Sequence, residues 1–112
     1  MIVPAPEVRV ILSTAGSPEE GERIARALVE QKLAACVNIV PELTSIYRWQ
    51  GKVETAGEVL LVIKTTAERV ERAESALRAA HSYEIPEVLV FKPEFGHSEY
   101  VDWLLRSVGE PE

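Results

Sequence analysis

The chain has 112 residues, 46% of them hydrophobic, and a formal net charge of −6. That is the size of one domain, spanning residues 1–112, with enough apolar material for a core, which excludes global disorder. The acid excess, with only scattered lysines and arginines, weighs against general nucleic-acid binding, which needs clustered cations to displace phosphate counterions.

No apolar run reaches the ~18 residues of a membrane span, and MIVPAPEVRV lacks the basic and long apolar regions of a secretory signal. A single cysteine, Cys36, excludes an internal disulfide and fits a reducing cytoplasm. The thermolabile set is short (Met1, Gln31, Cys36, Asn38 and Gln50), a composition that leans toward a heat-adapted source.

In chain order, Glu7 to Thr14 reads as a strand through the alternation in VRVIL. Ser17-Pro18-Glu19-Glu20 opens a helix with an N-cap serine, a first-position proline and a glutamate at capping-box spacing. Ile24, Ala25, Leu28, Val29 and Leu33 give it an apolar stripe, and it runs to about Lys32. CVNIVPELTSIYRW and KVETAGEVLLVIKT form two long strands joined by a turn at Gln50-Gly51, with Gly51 suited to positive φ. Pro41 has no N–H, so the first arm belongs at a sheet edge or carries a bulge. Thr65 and Glu68 stand at capping-box spacing before a second helix, with Val70, Ala73, Leu77 and Ala80 inward. Ile85 to Phe91 reads as a fourth strand, and Ser98 to Val108 as a short third helix. The fold class is therefore α+β: a ferredoxin-like βαββαβ sandwich with a long hairpin between its second and third strands and an extra C-terminal helix. The second and fourth strands are its edges.

The hairpin carries a length argument. A compact chain of this size is roughly 34 Å across, from a radius of gyration of about 13 Å. Cys36 to Trp49 would span roughly 46 Å at ~3.3 Å per residue. The arm overshoots, and Tyr47 and Trp49 lie at its tip on one side of the strand. An isolated ribbon is only marginally stable in water, and tyrosine, tryptophan and arginine are enriched at interface hot spots. Tyr47, Arg48 and Trp49 therefore read first as a subunit interface, with intramolecular packing and a ligand or nucleic-acid contact as the alternatives.

Several residues invite a chemical reading. Cys36 reads as a small core residue or a soft-metal ligand. His81, three residues before Glu84, reads as the residue that orders the turn after the second helix or, with Glu84, as a divalent-metal site. His97 reads as a helix-start residue. Lys64 reads as a solvated cation or an anion contact beside a helix start. Glu19, Glu20 and Glu22 read as first-turn acids facing the helix dipole. VRVILSTA and EVLLVIKT lack the stacking aromatics of an RNA-recognition sheet, and STAGSPEEGER is too acidic to cradle phosphate.

Four segments then acquire a common meaning: Lys32 to Glu54, LLVIKTT from Leu60, HSYEIPEVL from His81 and YVDWL from Tyr100. In order and spacing the chain resembles the CutA family over nearly its whole length. The resemblance implies a tight homotrimer with long hairpins joining neighbouring sheets, and a cytoplasmic, non-enzymatic protein linked to divalent-metal tolerance, with copper binding in some members. It also implies a likeness to trimeric PII signalling proteins, which bind small effectors between subunits. The metal-binding pattern of the family, a cysteine near the end of the first strand and two adjacent histidines, meets Ser13 and Ala80-His81 here. No obligatory cofactor is implied; a divalent cation such as Cu²⁺ is the implied ligand, with His81, Glu84 and Cys36 as its candidate residues.

Overall fold

The elements run β1 (Ile2–Pro4), β2 (Val8–Ala15), α1 (Pro18–Glu30), β3 (Cys36–Trp49), β4 (Lys52–Thr66), a 3₁₀ turn (Ala67–Arg69), α2 (Val70–Ala80), β5 (Leu89–Phe91), β6 (Phe95–His97) and α3 (Ser98–Ser107). They come from a computed structural model that describes residues 1–109. Four strands form an antiparallel sheet in the order β3-β4-β2-β5, so β3 and β5 are the edges. Helices α1 and α2 cover one face. Between them and the sheet lie Ile11, Ala15, Ile24, Leu28, Leu61, Ile63 and Leu77, all buried. This is the ferredoxin-like α+β arrangement expected from the order of apolar patterns.

The β3–β4 hairpin closes through Gln50 and Gly51, both at positive φ (50° and 81°), as a type I′ turn requires. Trp49 then faces Lys52, and pairing extends to Cys36 opposite Lys64. One register shift interrupts it between Val40 and Leu43, where Glu42 takes a φ of 63°. Pro41 thus sits on an edge strand and in a bulge, the two settings that tolerate its missing donor. The molecule measures 46 × 27 × 22 Å, elongated by this arm. Helix α1 begins as its sequence directs: the Glu20 amide donates to Ser17 Oγ at 3.1 Å. It lies close on the sheet because residue 21 is glycine; a Cβ there would stand 2.9 Å from Val59 Cγ2.

Four local expectations are corrected. Thr65 does not cap a helix; it is buried near the end of β4, and its Oγ1 donates to the Leu33 carbonyl at 2.7 Å. Val29 is exposed rather than part of the buried stripe; α1 ends at Glu30, where Lys32 turns left-handed (φ 58°) and the Leu33 amide donates back to the Leu28 carbonyl. The fourth strand of the sheet is only Leu89–Phe91; residues 85–88 belong to the loop that leaves α2. Two short strands, β1 and β6, pair where no strand was anticipated, with Gly96 opposite Val3. A Cβ at Gly96 would stand 2.7 Å from Val101 Cγ2, so this tight turn into α3 depends on glycine. His97 is the N-cap residue of α3, as expected of a helix-start residue.

Among the described residues the second sheet face is covered only at one end. There α3 packs Val101 and Leu104 against Ala5 and Val8. Beyond Val8 the strand alternation places Val10 beside Phe91 and Lys64, Leu12 beside Leu89 and Val62, and Val40 beside Leu60. Leu89, Phe91 and Val40 are exposed, and no further layer of the described chain lies over them. Lys64 shares this face with Asn38, to whose side-chain oxygen its ammonium donates, rather than serving a helix start.

Among the described residues one buried side-chain polar atom lacks a hydrogen-bond partner, Ser13 Oγ. An unsatisfied buried hydroxyl costs about 1–3 kcal/mol. Ser13→Ala should therefore raise the thermal midpoint or leave it unchanged, as read by calorimetric melting. A clear fall would mean that the hydroxyl is bonded in solution.

Candidate functional site

Strand β2 stops at Ala15 opposite Val59, while the hairpin continues past it to Trp49 and Lys52. The step leaves a notch. One wall is the arm, the other the loop that leaves α2. A cavity of about 580 Å³ lies between them, bounded by Ser45, Tyr47 and Trp49 of β3, Glu58 of β4, and Tyr83, Glu84 and Glu87 of the loop. Ser45, Tyr47 and Trp49 are two apart and share a strand face, which is why all three look into it.

The loop is held by buried polar groups. The His81 imidazole is fully buried, and its Nε2 lies 2.7 Å from the Thr14 carbonyl oxygen. A carbonyl only accepts, so Nε2 carries the proton. The Tyr83 amide donates to Nδ1 at 3.0 Å. These partners assign the neutral Nε2–H tautomer. Glu20, buried in the first turn of α1, accepts the Ser82 amide at 2.7 Å and the Gly16 amide at 3.3 Å, and stands 3.5 Å from His81 Nδ1. Burial opposes its charge, but the hydrogen bonds from Ser82 and the Gly16 amide outweigh burial and hold its carboxyl below the usual glutamate value. Tyr83 Oη donates to Glu58 at 2.7 Å, tying the loop to the arm. Burial first, then that bond and the charges of Glu58, Glu20 and Tyr47, push the phenol far above its ordinary range.

The sequence-derived site residues are thus dispersed. Glu84 lines the cavity. His81 stands in the same loop but points inward, with both ring nitrogens engaged. Cys36 is half-buried on the open sheet face, in line with Lys64 and Val10, several residues from the Thr14 end of β2 that His81 meets. It lies near Tyr100, whose phenol is pushed up by burial and secondarily by this thiol. Among the described residues no three His, Cys, Asp or Glu side chains form a group that could hold a metal ion. Tyr47 and Trp49 face the cavity; Arg48 alternates to the other side of the strand. The tip is bare: Ile46, Tyr47, Trp49 and Val53 are 71%, 44%, 43% and 66% exposed.

Sequence reasoning missed Glu20 and Glu58. Glu20 was legible as a capping-box acid, yet its carboxylate reaches Gly16 and the loop after α2, a contact 62 positions away that no local pattern encodes.

These features define a class: a ferredoxin-like α+β protein whose sheet carries a projecting hairpin, an open apolar face and an acidic notch. The family model described as CutA1 divalent ion tolerance protein matches residues 9–107, and the chain belongs to that family. The divalent-cation tolerance protein CutA of Thermus thermophilus is 48% identical over 100 residues, 89% of this chain and 97% of that one. CutA of Xylella fastidiosa superposes with a TM-score of 0.90 at 41% identity, covering 92% of this chain and 99% of the other. CutA of Synechococcus elongatus does so with a TM-score of 0.93 at 36% identity, covering 97% and 96%. The chain spans about half the length of the relatives from rice and Arabidopsis, 57% and 54%. Among the described residues no helix is long and apolar enough to cross a membrane.

The Glu20 geometry has a pH signature. Its folded-state pKa lies below the unfolded value near 4.5, so its contribution to stability is fully present above that pH and is lost as pH falls through the folded value. Glu20→Gln should lower the thermal midpoint at pH 7, and the difference between the two proteins should shrink as the pH falls from 4.5 through the lower folded value. Parallel melting curves down to pH 3 would refute this role.

Proposed function

We propose that the protein is a non-enzymatic homotrimer that serves the tolerance of, or response to, divalent cations, copper among them, in the cytoplasm. The open sheet face carries the assembly reading. Val10, Leu12, Leu60, Val62, Leu89 and Phe91 form a contiguous apolar surface that the described chain leaves without a layer. The same side bears a ribbon with an aromatic tip and uncovered edges, which water stabilises poorly and which a second copy of the chain can pair and bury. Membership of the divalent ion tolerance family supports the ionic role.

Metal binding on this reading is weak. Glu84 is already turned to the cavity, but His81 must give up the Tyr83 amide or the Thr14 carbonyl before a ring nitrogen is free. Binding therefore competes with the folded loop. Cys36 joins a site only through copies from neighbouring subunits. A non-catalytic role fits the same geometry, since His81 is committed on both nitrogens. The lone half-buried cysteine fits a reducing compartment.

A second reading is favoured by the cavity itself: a PII-like regulatory module that binds a small effector in the notch, closed by a neighbouring subunit. Its volume of about 580 Å³ falls within the roughly 300–1,000 Å³ of small-molecule sites.

Light scattering at micromolar concentration should give three times the chain mass, and Tyr47→Ala/Trp49→Ala should reduce it; a monomeric mass for the unaltered chain would sink the trimer. Calorimetric titration with Cu²⁺ should show affinity falling several-fold in His81→Ala at unchanged assembly. Equal affinities in the two proteins would remove His81 from the site.

A further inference from the structure

The lining of the notch narrows the effector of the second reading to a ligand class, and the inference rests on that reading. We propose that the cavity takes a small organic polycation, a di- or polyamine, held by the carboxylates of Glu58, Glu84 and Glu87 and by the ring faces of Tyr47 and Trp49.

The charge is one-sided. Three acidic residues line the cavity, and among the described residues no lysine or arginine does. A nucleotide or other phosphate would enter against that field, whereas an ammonium group enters with it. The carboxylates also fail to converge. A single ion draws its oxygen ligands to about 2–2.6 Å from one centre, and no set of acidic, histidine or cysteine side chains among the described residues makes such a group. Three acids that share a cavity without sharing a centre match several ammonium groups spaced along one molecule.

The rest of the wall suits the spacers. Tyr47 and Trp49 line the cavity, aromatic rings attract ammonium groups that approach their faces within about 6 Å, and Ile85 adds an aliphatic surface for methylenes. The Glu58 carboxylate is oriented in advance by the Tyr83 hydroxyl at 2.7 Å, which lowers the ordering cost on binding. A hard metal ion would make no use of the rings or of Ile85.

The test is calorimetric titration of the full chain with spermidine and, separately, with ATP, at fixed ionic strength. The expected result is saturable spermidine binding at one site per chain, at least tenfold weaker in Glu84→Gln/Glu87→Gln, as loss of charge-assisted hydrogen bonds predicts. Circular dichroism and light scattering check that the variant keeps its fold and mass. Glu30→Gln/Glu71→Gln, exposed acids of α1 and α2 outside the cavity, should leave the affinity unchanged. Absence of spermidine heat overturns the proposal. So does an equal loss in both double variants, which would mean diffuse attraction to an acidic chain. ATP binding that tightens in Glu84→Gln/Glu87→Gln would overturn the polyamine while leaving a small-effector site in the notch.

Discussion

The register of β3 on β4 is the constraint on which the rest of the structure depends. It is set at Gln50-Gly51, and strand alternation then assigns every residue of both strands to a face. Val59, Leu61, Ile63 and Thr65 go under the helices. Leu60, Val62 and Lys64 go to the open face, and Ser45, Tyr47 and Trp49 turn toward the notch. A slip of one residue would exchange the faces, putting Lys64 in the core and Ile63 in water. The bulge at Pro41-Glu42 preserves this assignment on both sides of a residue that cannot donate to a ladder.

The notch exists because two lengths disagree. β2 ends at Ala15, whereas its neighbour β4 begins seven residues further out, at Lys52 opposite Trp49. The loop after α2 fills the step, and that loop is fastened through the interior. Glu20 on α1 accepts the Ser82 amide, His81 bridges Thr14 to Tyr83, and Tyr83 reaches Glu58 on the arm. A buried carboxylate is tolerated only when its lone pairs are satisfied, and here two amides satisfy it. The edge strand that follows this loop is short, Leu89–Phe91.

The family assignment and the geometry bear on different questions. Sequence similarity places the chain in the divalent ion tolerance family. The geometry turns the one histidine of the 81–84 loop inward and lines the accessible cavity with carboxylates and aromatic rings. The two meet at Glu84, which belongs to the loop where the family pattern is partly kept and also faces the cavity.

Period-two and helical apolar patterns, the Ser17-Pro18 start, the Gln50-Gly51 turn and the handicap of Pro41 are local signals. The sequence by itself therefore determined the order of the four sheet strands and three helices, the two edge strands, the overshooting hairpin and the shared face of Tyr47 and Trp49. Contacts between distant positions decided the remainder. Thr65 reads as a cap until Leu33 accepts its hydroxyl, and His81 reads either as the residue that orders its turn or as a ligand until Thr14 and Tyr83 engage both its nitrogens. Glu20 reads as a dipole acid until Ser82 approaches it from 62 residues away. A side chain's chemistry depends on which donors and acceptors remain unoccupied, and that is settled only when segments far apart in the chain are brought within hydrogen-bond distance.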